Sequence, residues 1–466
     1  MSLSDLHQFI TLLESNAELS RIHVATDPHL EIAAITNRVC KQPAGGRALL
    51  FEQPKGSDFP VATNLFGSQR RICLALGVAD LDHLTVQMTA LLDRIPEFDV
   101  TRLGRQITVL EEFSRFSTLP SPLCWTEVME QPDLESFPFL QSWPGDGAAD
   151  GNPRYITLPQ VITADPDGGT PNCGIYRAQV RGKRGLALRW KAGSGAARHL
   201  EKFRQLGKPM PVAIALGGPP AALFSAMMPL PGDLDELTLA GFLRRSPIGV
   251  AACRSVPLQV PATAEVVIEG FVDPAETVLE GPFGNHTGSY SPAGPAALLR
   301  VTGISRRPVA LIPATVVGPP PMEDCWMAKA WERLLLAFLK RLAPAVVEIH
   351  FPLEWIFHQS AVISLENPDP GMVREIAAAL WDTPWFSDAR LMVFVTADAG
   401  PADERSIAWR CINLTDFADD IFHDNSQRRT ALDATGSRLP RQPLQADPAM
   451  ELQVLQLWQE YGIPLK

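Results

Sequence analysis

Asn172-Cys-Gly-Ile-Tyr-Arg177 is a short, largely apolar run with an amide at one end and a guanidinium at the other. It reads as a strand. Five residues of separation along one regular strand put the two polar ends on opposite faces, so alternation alone does not join them in a site. About a hundred residues on stands Glu280-Gly-Pro-Phe-Gly-Asn-His-Thr-Gly288. It offers a carboxylate, then a Gly-Pro-Phe-Gly turn that lets backbone approach a ligand, then an amide and an imidazole. Turn chemistry accounts for its glycines; the presence of both stretches in one chain, in this order, is what points to shared chemistry.

Around these two stretches lie 466 residues, which exceed one ordinary core and predict two or three domains. Hydrophobic residues make up 46% and charged residues 20%, the balance of a globular protein. With 41 Lys and Arg against 52 Asp and Glu the formal net charge is −11, so the surface as a whole repels nucleic acid and anionic membranes. An anionic substrate then needs local positive groups. No stretch is apolar for long enough to cross a bilayer, and Met-Ser-Leu-Ser-Asp5 lacks the marks of a signal peptide, so a cytoplasmic location is expected. The seven cysteines are scattered without a Cys-x-x-Cys pair, as reduced thiols would be.

Ser2-x-x-Asp5 resembles a capping box, and Leu6, Phe9, Ile10 and Leu13 follow at helical spacing. A second helix is expected from near Asp27, strands at Ala48–Glu52 and Pro60–Thr63, and helices near Arg70–Leu76 and Leu81–Leu92, an α/β domain over 1–115. Leu119-Pro-Ser-Pro-Leu123 reads as a linker. From 116 to 318 short β-rich segments are separated by Gly and Pro, among them Gly174–Val180, Leu186–Lys191, Pro211–Leu216, Ala264–Val272 and Leu298–Ile304, which predicts a barrel or sandwich. Helices near Ala196–Leu206 and Leu234–Leu243 interrupt it. After Gly318-Pro-Pro-Pro321, a second α/β domain is expected over 319–450, with Ala328–Leu342, Val346–Phe351, Ala361–Ser364, Met372–Trp381 and Leu391–Thr396. The tail, 451–466, carries Leu452, Val454, Leu455 and Leu457, the pattern of an amphipathic helix that packs either on its own domain or on a neighbouring subunit. The fold class is multidomain α+β.

The two quoted stretches closely resemble the UbiD family of decarboxylases, which use prenylated flavin mononucleotide. The match falls on Asn172, Gly174, Ile175, Tyr176 and Arg177 and on Glu280 to Gly284, with echoes in Asp27-Pro-His-Leu-Glu31, Asn64-Leu-Phe-Gly67 and Leu432-Asp-Ala-Thr435. The resemblance implies that the central region is a split β-barrel related to flavin reductases. It also implies a homodimer or larger homo-oligomer and a separate prenyltransferase that supplies the cofactor.

Residue by residue, the resemblance implies that Arg177 binds the substrate carboxylate, paired with Glu280. Asn172, Ile175, Tyr176, Arg177 itself, Arg189, Trp190, Ser194, Gly195 and Glu236 fall where relatives hold the flavin. Asn172 and Glu236 fall on ligands of a divalent metal, manganese or magnesium, with potassium as a further cation to which no ligand is assigned. Glycines 193 and 195 precede a helix start, a geometry suited to a phosphate, although Arg198 stands where a dinucleotide fingerprint has its third glycine. A histidine that some relatives add to the metal falls on Gly193, and His199 reads equally well as a helix-surface residue. Where relatives carry the proton-donating acid this chain has Asn285, which leaves His286, Glu280, water or the substrate itself to supply the proton. Met322 and Glu323, in Thr315-Val-Val-Gly-Pro-Pro-Pro-Met-Glu-Asp324, are the expected substrate-pocket residues. In the last echo, Ser437 and Arg438 replace a lysine of relatives. The implied activity is reversible decarboxylation of a small aromatic, heteroaromatic or α,β-unsaturated acid; the alternatives are a cofactor-binding homologue without turnover and a flavin reductase-like oxidoreductase, for which no complete nicotinamide-binding fingerprint is present.

Overall fold

A computed structural model describes residues 2–464 apart from 231–233, 358, 401, 427, 438–443 and 445. Arg438 thus lies outside the described residues. The first helix, Leu6–Ser15, buries Leu6, Phe9, Ile10 and Leu13 as their spacing predicts. Its cap is Asp5 itself, which accepts the Gln8 N–H at 2.8 Å, so the expected box from Ser2 is displaced by one turn. Strands Leu19–Ile22, Ala48–Phe51 and Val61–Thr63 form a sheet whose fourth member, Ile312–Ala314, arrives from some 250 residues later and runs parallel to Val61–Thr63. Helices Gln69–Leu76 and Asp82–Leu92 complete this layer, and the twenty-residue helix Glu323–Leu342 packs against both.

The central sheet forms a half-barrel. Its order is Tyr155–Ile156, Ala178–Val180, Gly185–Leu188, Gly294–Arg306, Ala264–Glu280, Met210–Gly217, Gln160–Thr163, Asn172–Ile175, with Glu127–Val128 paired beside Gly294–Arg306. The expected strand Gly174–Val180 is therefore two strands. Asn172–Ile175 ends one margin of the sheet, and Ala178–Val180 lies next to the other, so the chain crosses between margins through Tyr176 and Arg177 alone. Two residues span that gap only if the sheet curls. The corner also removes the parity argument, because Asn172 and Arg177 do not share a strand. Val161, Ile214, Leu216, Val266, Ile268 and Leu299 fill the enclosed core.

Ala264–Glu280 runs seventeen residues, well past the expected end at Val272, and delivers Glu280 at its tip. Beyond it, strands Val346–His350, Ser360–Leu365, Leu391–Thr396, Thr430–Asp433 and Ile421–His423 make a mixed five-stranded sheet. Helix Glu404–Asn413 and the last two strands carry no strong sequence pattern and were not expected. The tail helix is Pro448–Gln456, with none of its residues buried. No helix among the described residues is long and apolar enough to cross a membrane.

Candidate functional site

Arg177 stands at the corner between the two sheet margins, and Glu280 at the end of the long strand meets it. Arg177 Nε donates to Glu280 Oε1 at 2.8 Å and an Nη donates to Oε2 at 3.0 Å, a bidentate fork. Arg189 adds a longer contact of 3.4 Å to Oε2 and donates to the Pro292 carbonyl at 2.7 Å. The Glu280 side chain is fully buried, whereas Arg177 keeps 22% of its side chain exposed. One partner is fixed and the other reaches outward. The Phe283 ring lies 4.5 Å from the Arg177 guanidinium, and Tyr155 packs on Phe283 with centroids 4.8 Å apart. Burial pushes the Tyr155 phenol up, and the Glu280 carboxylate adds to that shift.

Two buried residues that local sequence does not single out hold the turn after Glu280. Asp146 accepts the Gly284 N–H at 2.8 Å on one oxygen and the Trp143 and Ser142 N–H groups at 2.8 and 3.2 Å on the other. Burial raises its carboxyl, and the three N–H donors oppose that rise. Gln179 accepts the Gly281 N–H at 3.1 Å while its amide nitrogen donates to Asp150 and the Asn152 carbonyl. A Cβ on Gly284 would stand 2.1 Å from the Trp143 ring, so this turn needs glycine for close packing.

A cavity of about 610 Å³ opens beside this centre. Of the expected cofactor residues, Asn172, Tyr176, Ser194, Gly195 and Glu236 line it. Ile175 lies in the adjoining strand, Trp190 packs toward the half-barrel core, and Arg177 and Arg189 stay with Glu280. Ser194 caps the helix Gly195–Leu206, its hydroxyl accepting the Ala197 N–H at 3.4 Å. The N-terminus of that helix thus faces the cavity. His199, read in sequence as equally well a surface residue, is buried, shares a hydrogen bond of 2.9 Å with Thr163 and lines the same space. Burial lowers its pKa.

The donor set suits a hard divalent cation. Glu236 accepts the Cys173 N–H at 3.0 Å but makes no ion pair among the described residues, and burial pushes its carboxyl up to about 8. Among the described residues, the buried amide nitrogen of Asn172 has no hydrogen-bond partner, and its oxygen receives a long 3.4 Å contact from the Tyr176 hydroxyl. A Cβ at position 195 would stand 1.9 Å from that oxygen, so the glycine leaves room for the Asn172 amide. A cation between these oxygens would offset the cost of burying the carboxylate.

The loop after Gly284 differs from expectation. Asn285 spends its amide on the loop: Nδ2 donates to Ser291 Oγ at 2.9 Å and Oδ1 accepts the His286 N–H at 2.8 Å. His286 Nδ1 lies 2.8 Å from Asp324 Oδ2. Met322 and Glu323 do not form the expected pocket. Met322 precedes the helix Glu323–Leu342 and packs with Ala33, Cys40 and Val316, while Glu323 turns toward the N-terminal layer and accepts the Phe66 N–H at 2.8 Å. One residue further round the helix, Asp324 lines a second cavity of about 280 Å³ whose other walls include Met227, Trp331, Phe351, Phe357 and Trp385. The two cavities share Met228, Pro229 and Pro384 and the ion pair Lys191–Asp388.

Models of the 3-octaprenyl-4-hydroxybenzoate carboxy-lyase match the chain in three successive parts: the N-terminal domain over 10–91, the Rift-related domain over 117–320 and the C-terminal domain over 325–442. An uncharacterised protein of Archaeoglobus fulgidus is 37% identical over 90% of this chain and 86% of its own length, and one of Aquifex aeolicus is 41% identical over the same shares. Among solved structures, an evolved dimeric form of the UbiD-class enzyme HmfF from Pelotomaculum thermopropionicum, in complex with prenylated FMN, superposes with a TM-score of 0.80 at 25% identity, covering 96% of this chain and 98% of that one. The closed form of the vanillic acid decarboxylase of Sedimentibacter hydroxybenzoicus has the same fold, with a TM-score of 0.83 at 24% identity and 99% of each chain covered. The chain, matched along most of its length by these three models and 37% identical to a relative over 90% of its length, thus belongs to the UbiD family of carboxy-lyases.

Proposed function

We propose that the protein is a non-oxidative, reversible decarboxylase of an aromatic, heteroaromatic or α,β-unsaturated carboxylic acid, working with prenylated FMN and Mn²⁺ or Mg²⁺. The observation that carries this reading is the fork between partly exposed Arg177 and buried Glu280, at the rim of a half-barrel in a carboxy-lyase family. On this reading the half-barrel is a flavin reductase-like split barrel. The cofactor, when bound, supplies a sink for the electron pair that remains as carbon dioxide leaves. The chain's own groups position and protonate. Arg177 presents its outward edge to the substrate carboxylate while Glu280 fixes the plane of its guanidinium. Arg189 holds the far oxygen of Glu280 and, with Ile175 and Trp190, borders the flavin.

Asn172 and Glu236 would hold the divalent ion at the cofactor phosphate, with Tyr176, Ser194, Gly195 and the helix N-terminus beside it. The second cavity would take the apolar body of the substrate. A separate prenyltransferase supplies the cofactor, and potassium is a further cation of the site. The seven free thiols support work in the reducing cytoplasm. The exposed Leu452 and Leu455 of the tail helix support a homo-oligomer.

The test is to co-produce the chain with a flavin prenyltransferase, identify the released cofactor by absorbance and mass, and follow carbon dioxide release over a panel of aryl, heteroaryl and unsaturated acids. Prenylated flavin with turnover supports the reading. Prenylated flavin with no release from any acid overturns it, and plain FMN with nicotinamide-dependent reduction favours a reductase instead.

A further inference from the structure

The decarboxylase reading needs a proton for the carbon that carbon dioxide leaves, and Asn285 cannot give one. An amide has no transferable proton at neutral pH, and both ends of this amide are committed, to Ser291 and to the backbone of His286. Asn285 also accepts the Gly288 N–H at 3.1 Å and donates its own to the Ser289 carbonyl at 3.1 Å, so it shapes the loop and aims the residue that follows. That residue is an imidazole beside a carboxylate.

We propose, resting on the decarboxylase reading, that His286 is the proton donor of the reaction and that Asp324 is its positioning residue. His286 and Asp324 come from segments almost forty residues apart, and the contact of 2.8 Å brings together side chains only 20% and 10% exposed. A carboxylate facing Nδ1 orients the ring and leaves Nε2 as the nitrogen that exchanges its proton with the substrate. The Phe357 ring meets the imidazole edge-on at 5.8 Å, and Phe357 and Asp324 both line the smaller cavity.

Among the described residues, the following other groups stand near this dyad. The Cys325 thiol lies 3.6 Å from Asp324 Oδ1; Lys191 and Asp388 stand at the rim of the same cavity, already paired with each other. Glu323, next in sequence, points away toward Phe66. Asp324 is thus the carboxylate set against the imidazole. The step balances without a redox partner. The C–C bond to the carboxylate breaks with its electron pair left on the carbon; that pair takes the proton from Nε2, a C–H bond forms, and the neutral ring is recharged from water.

The experiment compares holoenzyme of the wild type, His286→Gln, Asp324→Asn and Asp324→Glu, in two readouts. The first is the tautomer of the His286 ring, read at Nδ1 and Nε2 by NMR of ¹⁵N-histidine-labelled protein and assigned by its loss in His286→Gln. Asp324→Asn is expected to reduce the share of the ring protonated at Nδ1. The second is the pH profile of turnover on whichever acid the panel identifies. His286→Gln is expected to lose about 10²-fold or more in kcat. Asp324→Asn is expected to lose about tenfold in kcat with KM nearly unchanged, and Asp324→Glu to restore most of it. A His286 tautomer indifferent to Asp324, or a His286→Gln enzyme as fast as wild type, overturns the proposal. Wild-type holoenzyme that releases carbon dioxide from no acid instead overturns the decarboxylase reading beneath it.

Discussion

Glu280 and Glu236 are both acidic, the first fully buried at the tip of the long strand and the second half-buried at the start of helix Glu236–Leu243 beside the larger cavity, and they are opposite in what surrounds them. Glu280 is met by two guanidinium groups, one in a bidentate fork. Glu236 is met by one backbone N–H, and burial pushes its carboxyl up to about 8. A buried carboxylate is costly unless it is paired. In the first case the chain supplies the counter-charge from its own corner arginine, and the charged group is ready to orient a substrate. In the second no ion pair forms among the described residues, the Arg198 charge opposes the rise only in part, and the neighbouring Asn172 oxygen leaves room for a cation from outside. On the proposed reading, the same residue type is a finished part of the catalytic centre at one position and half of a binding site at the other.

The comparison breaks first at Arg177. Arg177→Lys keeps the charge and loses the planar fork, so turnover is expected to fall about 10³-fold while circular dichroism stays native. A variant within tenfold of wild type would make the pair structural. Glu236→Gln sharpens the other side. Cofactor-free wild type is expected to gain about 2.7 kcal/mol of stability from Mn²⁺ at a hundred times its Kd. The variant is expected to gain almost nothing, with affinity by calorimetry lower by about 100-fold; equal affinity would place the metal elsewhere. Gly195→Ala is a milder probe of the same site. Its added methyl would stand 1.9 Å from the Asn172 oxygen. The Asn172 amide must then move, and Mn²⁺ affinity is expected to drop about tenfold with a loss of roughly 1–3 kcal/mol in stability.

These two halves were not equally legible in the sequence. Arg177 and Glu280 could be paired from motif order alone, yet the geometry that joins them could not, because an unbroken run of strand-forming residues hides the corner at Tyr176 and Arg177. Pairing partners decide where that strand ends, and they lie far along the chain. Asp146 and Gln179 were invisible for the same reason: each holds the Glu280 turn through one or more backbone N–H groups more than a hundred residues distant. Helices with clear apolar periodicity, such as Leu6–Ser15 and Met372–Trp381, were read to within a few residues. From Met322 to Asp324 a helix start turns each successive side chain by about 100°, and of the three it is Asp324 that lines the smaller cavity, a phase that the sequence alone does not set.

Glu323 supplies a third case, intermediate between the first two and away from the chemistry. It is 2% exposed, accepts the Phe66 N–H at 2.8 Å, and burial pushes its carboxyl up to about 7 against an ordinary value of 4.5. Thr315 and the Arg71 charge pull it down only in part. Between pH 4.5 and 7 the folded chain therefore binds more protons at this site than the unfolded chain does, so this group makes stability fall as pH rises through that window and level off above it. Glu323→Gln keeps an oxygen for the Phe66 N–H and removes the ionisation. Urea unfolding at pH 5 and pH 8 is expected to show the variant gaining on wild type by about 1 kcal/mol or more between the two, with turnover changed less than twofold. Parallel curves would mean that Arg71 already neutralises Glu323 as Arg177 does Glu280, and the contrast between partnered and unpartnered glutamates would then rest on Glu236 alone.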